Sequence, residues 1–150
     1  EIFIFNEVAK FCNKPKIDFE IYEKGIGDHF DIQSSDFTVD VKASTPRARC
    51  LMIEVEKQKT WKNTTGYPSY MCMVAVTEED DEFYSEYLFG LDFDSFRNKC
   101  KRYNRGDNIP NTNVQLRTDN FLVHRQHCSE DISDLKIKAK KLSLINSELK

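Results

Sequence analysis

Two short stretches carry the residues best suited to chemistry. The first is Phe30-Asp31-Ile32 and the second is Val39-Asp40-Val41-Lys42. In a strand, successive side chains point to opposite faces. Asp40 and Lys42 therefore share one face, and Val39 and Val41 share the other. The valines suit a core, and the carboxylate and ammonium stand together at its margin. Ser34, Ser35 and Asp36 lie between the two stretches and favour a tight turn. If the hairpin turns about Ser35 and Asp36, cross-strand partners have numbers summing to about 71, which places Asp31 opposite Asp40. Directly opposed side chains hold their Cβ atoms about 4.5–5.5 Å apart. Two carboxylates at that separation repel, and a divalent cation with a preference for hard oxygen ligands resolves the conflict. A slip of one residue would turn Asp31 to the other face.

The elements that must hold this pair are legible around it. Residues 1–14 carry Phe5, Val8, Ala9 and Cys12 at the spacing of a short amphipathic helix, which Pro15 ends. Residues 17–22 alternate as a half-buried strand, and Gly25 and Gly27 break it. Strands are expected over 29–33, 37–43 and 50–55. The polar stretch 57–66 is a short helix or a loop. Residues 70–76 (YMCMVAV) are almost continuously apolar, which predicts a strand covered on both faces. Glu78 to Glu82 reads as a solvated acidic loop, 87–92 as a strand and 93–105 as a helix. A loop over 106–113, a strand over 120–124 and a Lys-rich helix over 130–150 complete the chain. The fold class expected is α/β (α+β), with a mixed central sheet flanked by helices.

This assembly resembles the PD-(D/E)xK nuclease superfamily, whose fold is restriction-endonuclease-like. In that family a helix with an acidic residue precedes a three-stranded meander. The second strand brings an Asp, the third brings (D/E)-x-K, and a helix and a further strand complete the sheet. Asp40-Val41-Lys42 matches (D/E)-x-K in its Asp form. Asp31 takes the place of the upstream Asp, with Asp28 as the alternative. Glu7 matches the helix acid in role and order, with Glu20 as the alternative if 17–22 is not a strand. No proline precedes Asp31 or Asp28, which departs from the family pattern. The resemblance spans roughly residues 1–76, and 77–150 would complete the sheet and add helices to the same single domain.

The resemblance implies Mg²⁺-dependent hydrolysis of phosphodiester bonds, with Mn²⁺ as a substitute and DNA favoured over RNA. Asp31, Asp40 and Glu7 would hold the metal, with the backbone carbonyl of Val41 as a further ligand. Lys42 would orient the attacking water and stabilise the transition state. Related folds also place a polar residue facing the site on the helix that follows the next strand, and Lys57, Gln58 and Lys59 sit there. Restriction, repair and phage or mobile-element roles all fit. The alternatives are a non-catalytic nucleic-acid-binding module on the same fold, a viral-type RNA endonuclease, and an interaction domain in which Asp40 and Lys42 are a mere surface pair.

Composition narrows the partners. With 22 Lys+Arg against 25 Asp+Glu the net charge is −3, so anionic partners must be met by local basic patches. Arg47 and Arg49 follow the site closely. Arg97, Lys99, Lys101, Arg102 and Arg105 form a run with no acid between residues 95 and 106, and Tyr103 is interleaved. His124-Arg125-Gln126-His127-Cys128 lacks a second cluster at zinc-site spacing and reads as an ordinary strand end. No apolar run reaches the ~20 residues of a membrane helix, so no membrane partner is expected. Five scattered cysteines without C-x-x-C suit a reducing compartment: cytoplasmic, or inside a host cell if the protein is viral. Homodimerisation is compatible with this reading.

Overall fold

The structure, a computed structural model, describes residues 1–11, 16–17 and 30–148. In chain order its elements are α1 (Ile2–Val8), β1 (Lys16–Ile17), β2 (Ile32–Gln33), β3 (Thr38–Ser44), β4 (Cys50–Glu54), α2 (Val55–Asn63), β5 (Tyr70–Glu79), β6 (Glu82–Asp92), α3 (Phe93–Lys99), β7 (Lys101–Tyr103), β8 (Asn120–His124) and α4 (Ile132–Glu148). Short 3-10 turns cover Ala9–Phe11 and Arg125–His127. Five strands form a mixed sheet in the order β1-β2-β3-β5-β6. The first three make an antiparallel meander, β5 runs parallel to β3, and β6 returns antiparallel. A second, antiparallel sheet has the order β4-β8-β7.

The apolar run of β5 explains its central place. Tyr70 through Ala75 are all buried, and alternate residues serve different cores. Met71, Met73 and Ala75 join Leu51, Ile53, Trp61, Phe93 and Phe96. Tyr70, Cys72 and Val74 join Ile4, Val8, Val39, Leu135 and Ala139. α1 and α4 thus cover one face of the sheet, while α2, α3 and the small sheet cover the other. A strand buried on both faces has to be apolar at every position. Tyr70 meets that demand by donating its hydroxyl to Asp134 of α4 at 2.6 Å. Burial, more than the neighbouring Tyr87 and Asp134, pushes the Tyr70 hydroxyl far up, so it stays a donor.

In α1 the buried residues are Ile4 and Val8, four apart on one stripe. Val8 was expected inward, but Ile4 rather than Phe5 is its buried companion, and Cys12 lies outside the described residues. Most of the strand expected at 17–22 also lies outside them.

Two other expectations are corrected. Residues 78–82 do not leave the sheet. Asp80 and Asp81 take left-handed φ values of 52° and 62°, a two-residue turn that lets the β5–β6 ladder run on to Glu79 and Glu82. Aspartate tolerates that conformation, and two such residues match the twist of a hairpin. Beyond Ala75 the hairpin is exposed on both faces, with Phe83 at 73% and Tyr84 at 50% exposure. Residues 93–105 are not one helix either. Cys100 is extended, and Lys101–Tyr103 pairs with β8, with Tyr103 opposite Asn120. The pull of a sheet edge outweighs the helix propensity of the lysines and arginines there.

Gly90 marks a close approach in β6. It pairs with Cys72 on one side and exchanges two hydrogen bonds with Ser129 on the other. A Cβ there would meet the Tyr87 hydroxyl, and Tyr70 Cε1 and the Met71 carbonyl oxygen at 2.6 and 2.8 Å. Gly90→Ala is expected to cost about 1–3 kcal/mol or more through overpacking, read from urea unfolding. Unchanged stability would show that β6 can shift away from β5.

Candidate functional site

The turn sets the register that builds the site. Ser34 Oγ accepts the N–H groups of Asp36 and Phe37 at 3.2 and 2.8 Å and donates to the Phe37 carbonyl at 2.9 Å. Ile32 then pairs with Val39, and Gln33 with Thr38. This is the register expected from the turn. Val39 enters the core between the sheet and the α1–α4 layer, which turns Asp40 to the other face. The ladder stops at Ile32, so Val41 has no β2 backbone partner for its N–H. Asp31 supplies one, accepting that N–H with Oδ2 at 2.6 Å. Its side chain closes the end of the hairpin and comes to rest beside Asp40.

Asp40 is only 3% exposed. Lys42 Nζ lies 2.9 Å from its Oδ2, and Lys57 Nζ of α2 lies 3.5 Å from its Oδ1. The lysine at Oδ2 neutralises charge but sits off the direction of a hydrogen bond, so that buried oxygen keeps an unused acceptor. Asp31 responds to the same surroundings. Burial first, then the charge of Asp40, pushes its carboxyl up to about 7; the Val41 N–H opposes the rise, and Glu1 beside it adds to it.

Lys57 is positioned by the helix that carries it. Trp61 is one turn further along α2, and Lys57 Nζ lies 5.3 Å above its ring. Trp61 is buried and packs on Phe30 at 5.6 Å and Phe93 at 5.8 Å between centroids. The same indole therefore braces the lysine on one side and, through Phe30, the neighbour of Asp31 on the other. Of the three polar residues weighed after β4, it is Lys57 that reaches Asp40.

Glu7 is not brought to this cluster. Its Oε2 pairs with Lys136 of α4 at 2.6 Å, tying the two helices together. The acid that stands by Asp31 is Glu1, the residue just before α1. Sequence order alone did not single out Glu1, which precedes the helix and is exposed. Asp28 and Glu20, the two alternatives, fall outside the described residues. Among the described residues no group of three or more His, Cys, Asp or Glu side chains is placed to hold a metal ion. The Val41 carbonyl belongs to the strand that carries Asp40 and Lys42.

The expected nucleic-acid contacts divide into two places. Arg47 and Arg49 sit in the β3–β4 loop, both exposed. The run from 97 to 105 spreads over the end of α3 and over β7, and much of it has protein partners. Arg97 lies over Tyr67 at 4.5 Å, and Lys99 donates to the His127 carbonyl at 3.3 Å. Arg102 pairs with Asp119 at 2.9 Å, and the backbone N–H of Arg105 donates to the same carboxylate at 2.8 Å. Lys101 is exposed on β7. Set against known proteins, the chain matches no protein-family model, no curated protein and no solved structure. No helix of the described residues is long and apolar enough to cross a membrane.

Two outcomes follow from this geometry. Asp31 keeps its proton up to about pH 7 in the folded state, against an ordinary value of 3.8. Between about pH 4 and pH 7 the folded chain binds more protons than the unfolded one, so stability falls as pH rises and is level above that. In EDTA, Asp31→Asn is expected to lose this slope and to melt higher than the wild type at pH 8; parallel melting profiles from pH 4 to pH 8 would refute the buried charge conflict. Trp61→Ala is expected to cost about 3–5 kcal/mol in urea unfolding, because it empties the contact between α2, Phe30 and Phe93.

Proposed function

We propose that this chain is a Mg²⁺-dependent endonuclease of the PD-(D/E)xK type, hydrolysing phosphodiester bonds in DNA in preference to RNA. The observation that carries the reading is the meeting of Asp31 and Asp40 beside Lys42. Two carboxylates are held at one level of adjacent strands, at a cost that a structural role does not require. The order of elements supports it as well: a helix, a three-stranded meander ending in Asp-x-Lys, then a helix and a parallel strand. Here β4 is inserted before that helix.

The chemistry of two facing carboxylates supports a hard divalent cation. Asp31 and Asp40 offer hard carboxylate oxygens, one of them a buried acceptor without a hydrogen bond. These two, with the Val41 carbonyl, are the residues that would hold Mg²⁺, an ion that prefers oxygen ligands and keeps several waters. When bound, the ion lowers the pKa of a water nucleophile and offsets charge on the phosphate. The two lysines do the rest from the protein side. Lys42, on the strand that carries Asp40, orients the attacking water and stabilises negative charge building on the phosphoryl oxygens. Lys57 holds Asp40 in place and adds positive potential from the α2 side. Asp31 must give up its proton for the site to take a cation, so divalent binding is coupled to proton release below about pH 7.

The direct test uses supercoiled plasmid, single-stranded DNA and RNA with Mg²⁺, Mn²⁺ or EDTA. The wild type is expected to cut DNA with either metal and nothing in EDTA. Asp40→Asn and Lys42→Ala are expected to lose at least about a hundredfold in rate. Cutting that survives both substitutions would remove the reading. Calorimetric Mn²⁺ titration provides a second check. Affinity is expected to rise with pH up to about 7 and then level, and Asp31→Asn is expected to abolish that dependence.

A further inference from the structure

A cleft of about 560 Å³ opens where the β3–β4 loop meets the end of β8. Arg47, Arg49, Arg125, His124, Gln126 and Asn111 face it, together with the acid Glu130. Its walls are fixed to each other. β4 pairs with β8 up to Cys50 and His124, and the Arg125 N–H donates to the Arg49 carbonyl at 2.8 Å. The Arg125 side chain braces the loop and pairs with Glu130. Its Nε donates to Glu130 at 2.8 Å, its Nη1 donates to the carbonyls of Pro46 and Ala48 at 3.2 and 3.3 Å, and its guanidinium lies 5.0 Å over Phe89. Glu130 is thereby neutralised.

Arg47 and Arg49 are different. Both are exposed, and neither side chain takes part in an ion pair or hydrogen bond with the described residues. Two unspent guanidiniums, two residues apart on a braced loop, make a local positive site on a chain of net charge −3. Guanidinium forks match phosphate oxygens in geometry as well as charge. Beside them, the Gln126 and Asn111 amides each offer donors and an acceptor, the chemistry that reads base edges. The volume lies in the range of small-ligand sites. Strand β3 carries the loop away from the carboxylates, since Asp40 and Ser44 are separated by about 13 Å of strand.

We propose that this cleft holds one nucleotide of the substrate strand away from the bond that is cut, with Arg47 and Arg49 on its phosphate and Gln126 and Asn111 on its base. The inference rests on nucleic acid being the substrate, and it makes the β3–β4 loop the place where the strand is gripped. Cutting and gripping then fall to different residues.

The test is fluorescence anisotropy of a labelled single-stranded oligodeoxynucleotide with the full chain in EDTA, so that nothing is cut. Arg47→Glu with Arg49→Glu is expected to weaken binding at least about tenfold and to flatten the log Kd against log salt slope by about 1.4, two phosphate contacts at about 0.7 each. Gln126→Ala is expected to weaken binding severalfold for the normal strand and not for one made abasic throughout. Thermal melts of the variants check that the fold is kept. Affinity of the double variant within twofold of the wild type overturns the cleft, as does absence of any oligonucleotide binding. Displacement of the strand by inorganic phosphate at matching concentration also overturns it, because the site would then be one for free phosphate. Plasmid cutting is scored separately. Arginine-dependent binding without cutting supports the cleft while the nuclease reading falls, and cutting with unchanged binding by the double variant overturns the cleft alone.

Discussion

A buried repulsion between two carboxylates sets the terms for the rest of this structure. Like charges opposed across a hairpin destabilise it, and taking one of them almost out of water raises the cost further. Several features act together to keep the arrangement. Ser34 locks the turn, so the register cannot slip. Val39 and Ile32 are committed to the core between the sheet and its α1–α4 layer, so a slip would expose both. Lys42 and Lys57 answer the charge of Asp40 from two elements, and the Val41 N–H answers Asp31. What remains is met by Asp31 holding a proton.

The aromatic layer beneath α2 is the mechanical counterpart. Phe30, Trp61 and Phe93 come from a loop, a helix and the start of another helix, and they meet within 6 Å. Phe93 and Phe96 then stack at 5.7 Å. Because rings of this size are rigid and deeply packed, they fix Phe30 and with it the approach of Asp31 to β2. The opposite layer is held by polar ties as well as packing, namely Tyr70 to Asp134 and Glu7 to Lys136. The two sides of the sheet are thus built differently, and the charged pair lies on the aromatic one.

The central pair was legible because it depends on local rules: strand alternation, a serine-rich turn and the inward pull of valines. The buried strand at 70–76 was legible for the same kind of reason, since an unbroken apolar run has few other fates. What failed depended on distant partners. Lys101–Tyr103 has the composition of a helix, but β8, some twenty residues on, offers a ladder that the local sequence does not announce. Glu7 has the right order in the chain, yet Lys136 from the last helix claims it, and the acid beside Asp31 is Glu1, just before the helix. The acidic stretch Glu78–Glu82 looked like a loop because its charge is conspicuous, while the turn chemistry of two aspartates is not.

That hairpin has a consequence of its own. Strand β6 is the last in its sheet, and its half beyond Ala75's partner Glu86 has backbone groups turned to solvent beside Phe83 and Tyr84. A bare edge with aromatic side chains is a template on which another copy of the same edge can add, the first step toward stacked aggregates. Here the edge is also the most acidic part of the chain, with Glu78, Glu79, Asp80, Asp81, Glu82 and Glu86 crowded along it. Two such edges meeting in register would bring a dozen or so like charges together. The same carboxylates that make the hairpin look like a loop in the sequence act as its guard against self-association, and that guard is only as strong as their ionisation.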